Sequence, residues 1–146
     1  NLLRHPVELL PGIREAVEVI ASRYEVVLIT KGDLFHQEAK VRDSGLADLF
    51  RRIEIVSEKD PPTYARVLSE FDAEAAGFLM IGNSLRSDIA PVLALGGWGV
   101  HMPYRTTWVH EREVAIESGH ERMCVAAAPD ALPEAVATLA ERAAAL

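Results

Sequence analysis

Long hydrophobic runs, basic blocks, paired cysteines and lysines are what this sequence is short of. No stretch approaches the ~18 to 20 consecutive apolar residues of a bilayer-spanning helix, so no membrane partner is expected. A single cysteine, Cys124, excludes an internal disulfide and fits a reducing, cytoplasmic setting. In its apolar run it reads as inert core. The formal net charge is −7 and no Lys/Arg cluster interrupts it, which argues against a nucleic-acid partner. Only three of the 15 Lys and Arg residues are lysines, Lys31, Lys40 and Lys59. No Gly-x-Ser-x-Gly occurs, leaving an esterase without its nucleophile elbow. His101 and His110 lack the i, i+4 spacing and the cysteine partner of a zinc pair. There is no internal repeat and no Gly/Ser linker. "NLLRHPVELLPG" opens without an initiator methionine, a basic n-region or a small-residue cleavage site, so the chain is expected to be cut from a longer sequence.

What is present is an ordinary globular composition, 49% hydrophobic and 25% charged over 146 residues, enough for one domain with a substantial core. "PGIREAVEVIASR" sets Ile13, Ala16, Val17 and Ile20 at helical spacing. "YEVVLIT" reads as a buried strand, "LFHQEAKVRDSG" as a helix closed by Gly45, and "RIEIVS" as a second strand. "DPPTYARVLSEF" follows as a helix with Asp60 as N-cap and Pro61 at its first position, Tyr64, Leu68 and Phe71 sharing one side. Next come the strand "GFLMIG" and a helix through "SDIAPVLALGG", capped by Ser84 or Ser87. "WGVHM" and "ERMCVAAA" read as short strands, and "DALPEAVATLAERAAAL" as a helix. "HMPYRTTWVHE" reads as an ordered loop packing its aromatics on the core, the alternative being a cover over the pocket that touches substrate. This alternation predicts an α/β fold, a three-layer α/β/α sandwich with a mainly parallel sheet.

Ligands of such sheets bind beyond the carboxyl ends of the strands. Three strand ends carry polar chemistry: Thr30 with Lys31 and Gly32, then Lys59, then Gly82-Asn83-Ser84 with Asp88 beyond. A hydroxyl with the amides after it can donate to phosphate oxygens. An ammonium just before a helix N-terminus suits an anion. A carboxylate at a turn can hold Mg²⁺.

The order Thr30, Lys59, then Gly82-Asn83-x-x-x-x-Asp88 resembles motifs two, three and four of the haloacid dehalogenase-like superfamily. The resemblance runs through nearly the whole chain, from "PGIREAVEVIASRYEVVLITKGD" to "SEKDPPTYARVL" and beyond. It implies that Thr30, with Lys31 and Gly32 beside it, binds a transferring phosphoryl group and that Lys59 orients the nucleophile and offsets its charge. Asn83 and Asp88 would then hold Mg²⁺.

Two departures qualify the resemblance. Asn83 stands where the family usually has aspartate, which removes a charge from the metal site. The Asp-x-Asp nucleophile motif is absent, since no two aspartates of this chain have that spacing. In the family that motif lies on a mid-sheet strand. The chain is therefore expected to be the C-terminal part of a single core domain, residues 1–146, lacking its first strand and any cap. A preceding segment or another chain would have to complete the sheet. The function implied is Mg²⁺-dependent hydrolysis of a small phosphorylated metabolite through a phospho-aspartate, with these residues inactive by themselves. The alternatives are a non-catalytic phosphate-binding or scaffold module, then a receiver-like signalling domain or a 2-haloacid dehalogenase.

Overall fold

A computed structural model describes residues 12–31, 47–56, 58–102 and 120–145, leaving out the side chains of residues 30, 31, 52, 53 and 55. The chain divides into two compact units, Asn1–Glu58 and Lys59–Leu146. The expected helix ending at Gly45, Gly32, and the segment from residue 103 to 111 all lie outside the described residues.

In the first unit, helix α1 (Ile13–Ala21) buries Ala16 and Ile20. Ile13 and Val17, expected beside them, are only half-buried. Strand β1 (Val27–Lys31) runs parallel to β2 (Arg52–Val56), with Thr30 opposite Ile55. The first strand starts later than "YEVVLIT" implies: Tyr24 is exposed, and Glu25 instead forms an ion pair with Arg51.

The second unit opens with α2 (Pro61–Glu70), whose N-cap is Asp60 with its side chain accepting from the Thr63 amide at 3.0 Å. Proline at the first helical position loses no bond, because that N–H would have no partner in the helix. The buried side chains are Tyr64, Val67 and Leu68. Phe71, expected on the same side, is instead the half-buried C-cap.

Strands β3 (Leu79–Gly82), β4 (Trp98–His101) and β5 (Met123–Val125) form a parallel sheet in that order. All four residues of β4 are buried, so both faces of this central strand are covered, as in other parallel sheets. Its apolar run is therefore continuous rather than alternating until it ends in histidine. Helix α4 (Leu132–Ala144) packs on β4 and β5 through Leu132, Val136 and Leu139. The cysteine is only half-buried.

The segment between β3 and β4 begins with one widened, π-helical turn, Leu85–Ile89, and continues as the short helix α3 (Ala90–Ala94). Its C-terminus meets β4 closely. A Cβ at Gly97 would sit 2.6 Å from Val92 Cγ1 and 3.2 Å from the carbonyls of Ala75 and Phe78. Arg122 donates to the Leu93 and Gly97 carbonyls at 3.0 and 3.1 Å, tying β5's lead-in to that helix end, where Leu93 also accepts from the Gly96 amide. These parallel strands and their crossovers are the α/β fold that the order of elements predicts. Among the described residues, β1 and β3 each pair with one neighbour only, and no helix is long and apolar enough to cross a membrane.

The capping bond holds the Asp60 carboxyl below its ordinary value of 3.8, the Thr63 hydrogen bonds being the cause. A lowered folded-state pKa makes the contribution complete above 3.8 and lost as pH falls through the folded value. Asp60→Ala should lower the urea midpoint at neutral pH, and the gap to the wild type should close only under more acidic conditions. Unfolding curves across a pH series measure this.

Candidate active site at the carboxyl end of the sheet

The parallel register places Gly82 opposite His101, so the loop after β3 and the end of β4 share one rim. Lys59 reaches the same rim from just before α2. Its Nζ donates to Asp88 Oδ1 at 2.7 Å across 29 positions of sequence. The lysine side chain is 18% exposed and the aspartate 4%. Both charges are thus largely out of water, which is tolerable only because they face each other.

Asp88 is positioned by backbone more than by side chains. Its other oxygen, Oδ2, accepts from the Ser84 amide at 3.2 Å. Ser84 is the N-cap of the turn, its hydroxyl accepting from the Ser87 amide at 3.1 Å; of the two serines that could cap, the first does. The Ser84 carbonyl receives both the Asp88 and Ile89 amides, at 2.9 and 3.2 Å, the signature of a turn opened from α towards π geometry. Gly82 makes room underneath, since a Cβ there would overlap Asp88 Cβ, Cγ and Oδ2.

Pro91 explains the widened turn. In a regular helix its ring would clash with the Ser87 carbonyl, four residues earlier, and it has no N–H to give that carbonyl. Tyr64 supplies the missing donor: its hydroxyl, on a residue only 1% exposed, donates to Ser87 O at 2.9 Å. Burial, and then the charges of Asp88 and Asp60, push the phenol far above its ordinary pKa, so it remains a donor. On the opposite side, His101, 2% exposed, lies 3.1 Å from the Asn83 carbonyl through Nε2. A carbonyl only accepts, so Nε2 carries the proton. Two buried polar rings therefore grip the loop at either end of its Asn83–Asp88 stretch.

Of the residues singled out in the sequence, Lys59 and Asp88 are in contact, and Asn83 lies in the same loop. Thr30 is in β1, one residue before its end; its side chain, that of Lys31, and Gly32 lie outside the described residues. That Tyr64 and His101 would hold this loop by its carbonyls was not expected. Their signals were a proline four residues after Ser87 and a histidine closing an otherwise apolar buried strand.

For a divalent cation, the loop after β3 offers one carboxylate, Asp88, and, at Asn83, one neutral amide oxygen. No group of three or more His, Cys, Asp and Glu able to hold a metal occurs among the described residues. Each Asp88 oxygen has one protein donor and a second lone pair left. That suits Mg²⁺, which takes one or two protein carboxylates and completes its shell with phosphate and water.

No family model matches the chain, and none of the curated proteins does. Among solved structures, a haloacid dehalogenase-like family hydrolase from Xanthomonas campestris is 55% identical over 99% of this chain and 60% of its own, with a TM-score of 0.88. The 2-haloacid dehalogenase of Pseudomonas syringae pv. Tomato is 20% identical, covering 89% of this chain and 54% of its own at a TM-score of 0.66. A HAD phosphatase from Thermococcus onnurineus is 16% identical over 88% and 58%, at 0.68. At such identities the last two bear on fold alone. The chain spans 60% of the Xanthomonas hydrolase's length.

Two substitutions separate packing from hydrogen bonding at this rim. Tyr64→Phe should lose about 1 to 3 kcal/mol in chemical denaturation, because the half-buried Ser87 carbonyl loses the hydroxyl donor that reaches it. Gly82→Ala should destabilise the protein by about as much or more through overpacking, and should also break the Lys59–Asp88 contact, visible as a changed ¹⁵Nζ resonance of Lys59.

Proposed function

The chain belongs to the haloacid dehalogenase-like superfamily, and from that premise we propose that the whole protein is a phosphohydrolase acting on a small phosphomonoester. The observation that carries this reading is the Lys59–Asp88 pair at the strand ends, Nζ to Oδ1 2.7 Å. It is a positive charge for phosphate beside a negative one for a metal. A site for 2-haloacids has less use for such a cation-binding carboxylate.

In this reading Thr30, with Lys31 and Gly32 after it, donates to phosphate oxygens, and Lys59 offsets charge on the nucleophile and the transferring group. Asp88, with help from Asn83, holds Mg²⁺, which when bound neutralises phosphate charge and orients the phosphoryl group. The solved structure of the Bacillus subtilis HAD-hydrolase YfnB is described as bound to magnesium, which supports that choice of ion. A carboxylate nucleophile must come from outside residues 1–146. Its attack on phosphorus breaks the ester P–O bond, the leaving oxygen takes up a proton, and water then hydrolyses the acyl phosphate. A strand bearing it would also complete the sheet, which fits the single neighbour that β3 has among the described residues. Most of the rate would come from positioned charge.

A second reading, a phosphate-binding module without chemistry, is favoured by one observation: Asn83 stands where the family carries aspartate. The two separate by assay. The full-length protein with Mg²⁺ should release inorganic phosphate from a generic phosphomonoester, residues 1–146 alone should not, and Lys59→Ala should lower kcat/KM by at least about 100-fold. Undiminished turnover in Lys59→Ala would overturn the assignment, and phosphate binding without turnover by the full-length protein would select the module.

A further inference from the structure

We infer that Asp88 acts as a built-in competitor for the anion at Lys59, so that oxyanion and divalent cation bind cooperatively, each releasing one half of the ion pair for the other. This rests on the proposed reading of the site as one for phosphate and a divalent cation.

The argument is electrostatic and steric. Asp88 already occupies Lys59 as an oxyanion would, by a charge-assisted bond of 2.7 Å. The carboxylate cannot withdraw. Its Oδ2 is held by the Ser84 amide, Gly82 lies against it, and the turn that carries it is fixed by Tyr64 at Ser87. Lysine is the half able to move, being the more exposed of the two and carried on a flexible stem.

A phosphate arriving alone must therefore either draw Lys59 away, leaving a buried carboxylate uncompensated, or share the ammonium beside that carboxylate. Both are costly where water is largely excluded. A dication arriving alone meets the converse problem, a positive neighbour 2.7 Å from the oxygen it needs. Bound together, the cation takes over Asp88 and the phosphate takes over Lys59. Neither charge is then stranded. Asn83 strengthens the effect, because no second carboxylate at that position shares the cation's charge.

The test is calorimetric titration of the full-length protein with inorganic phosphate, with and without saturating Mg²⁺, and the reciprocal titration of Mg²⁺ with and without phosphate. The expected result is a phosphate Kd about tenfold or more tighter with Mg²⁺, and the same factor in the reciprocal experiment, as linkage requires. Without Mg²⁺, Asp88→Asn should bind phosphate more tightly than the wild type, because the competitor's charge is gone and its shape kept. Adding Lys59→Met to Asp88→Asn should cancel that gain. The two wild-type titrations need no variant to fold.

Measurable phosphate binding that Mg²⁺ leaves unchanged would overturn the coupling while the proposed site stands. So would a gain in Asp88→Asn that survives Lys59→Met, since general charge would then explain it. Absence of phosphate binding in the wild type under both conditions would overturn the site reading, and the coupling with it.

Discussion

Lys59 and Asp88 form a largely desolvated ion pair between two segments that are distant in sequence. Removing either charge from water costs several kcal/mol, recovered only when geometry and further hydrogen bonds are good. The surroundings meet that demand on the aspartate side. Oδ1 receives the ammonium, Oδ2 an amide, and the chain beneath is glycine, so that the carboxylate can lie against the backbone. A pair of this kind is weak evidence for stability, since apolar replacements of similar shape often do as well. It is better evidence for position: the two charges sit where a parallel sheet presents its strand ends.

The rest of the rim follows from backbone constraints. Pro91 starves the Ser87 carbonyl of a helical donor and obstructs regular α geometry, and the chain answers with a widened turn and the Tyr64 hydroxyl. Because that carbonyl belongs to the residue before Asp88, the bond that repairs the helix also holds the functional loop. His101 does the same from β4, and the register Gly82 to His101 brings it to the Asn83 carbonyl without any special bend. Local helix chemistry and sheet register thus determine where the carboxylate lies.

Much of this was legible in the sequence, for identifiable reasons. Alternating apolar runs and helical periods located the strands and helices. Asp60 followed by Pro61 marked the start of α2 in detail, and each expected strand among the described residues is present. Lys59 and Asp88 were readable as neighbours at one rim because parallel strands gather their carboxyl ends there, though not as an ion pair with each other. The failures were of another kind. Val67 rather than Phe71 completes the buried side of α2 because the helix ends at Glu70, turning Phe71 into its cap. Tyr64 was visible as a core residue, but its hydroxyl's partner depends on tertiary packing that periodicity does not encode. His101 was legible as part of the strand "WGVHM", but that its buried ring would reach the Asn83 carbonyl was not.

Asn83 is best understood from the same contacts. The loop holds Asn83 by its main-chain carbonyl, through His101, and that bond is indifferent to whether the side chain is an amide or a carboxylate. Exchange between the two therefore leaves the loop's anchoring intact and changes charge alone. With asparagine, Lys59 and Asp88 balance; with aspartate, the same rim would carry an additional negative charge. A rim with one negative charge fewer attracts a divalent cation less and repels a phosphate dianion less. In the proposed reading the asparagine thus shifts the balance between the two ligands without altering the scaffold, and Asp88 is the charged group left for a cation.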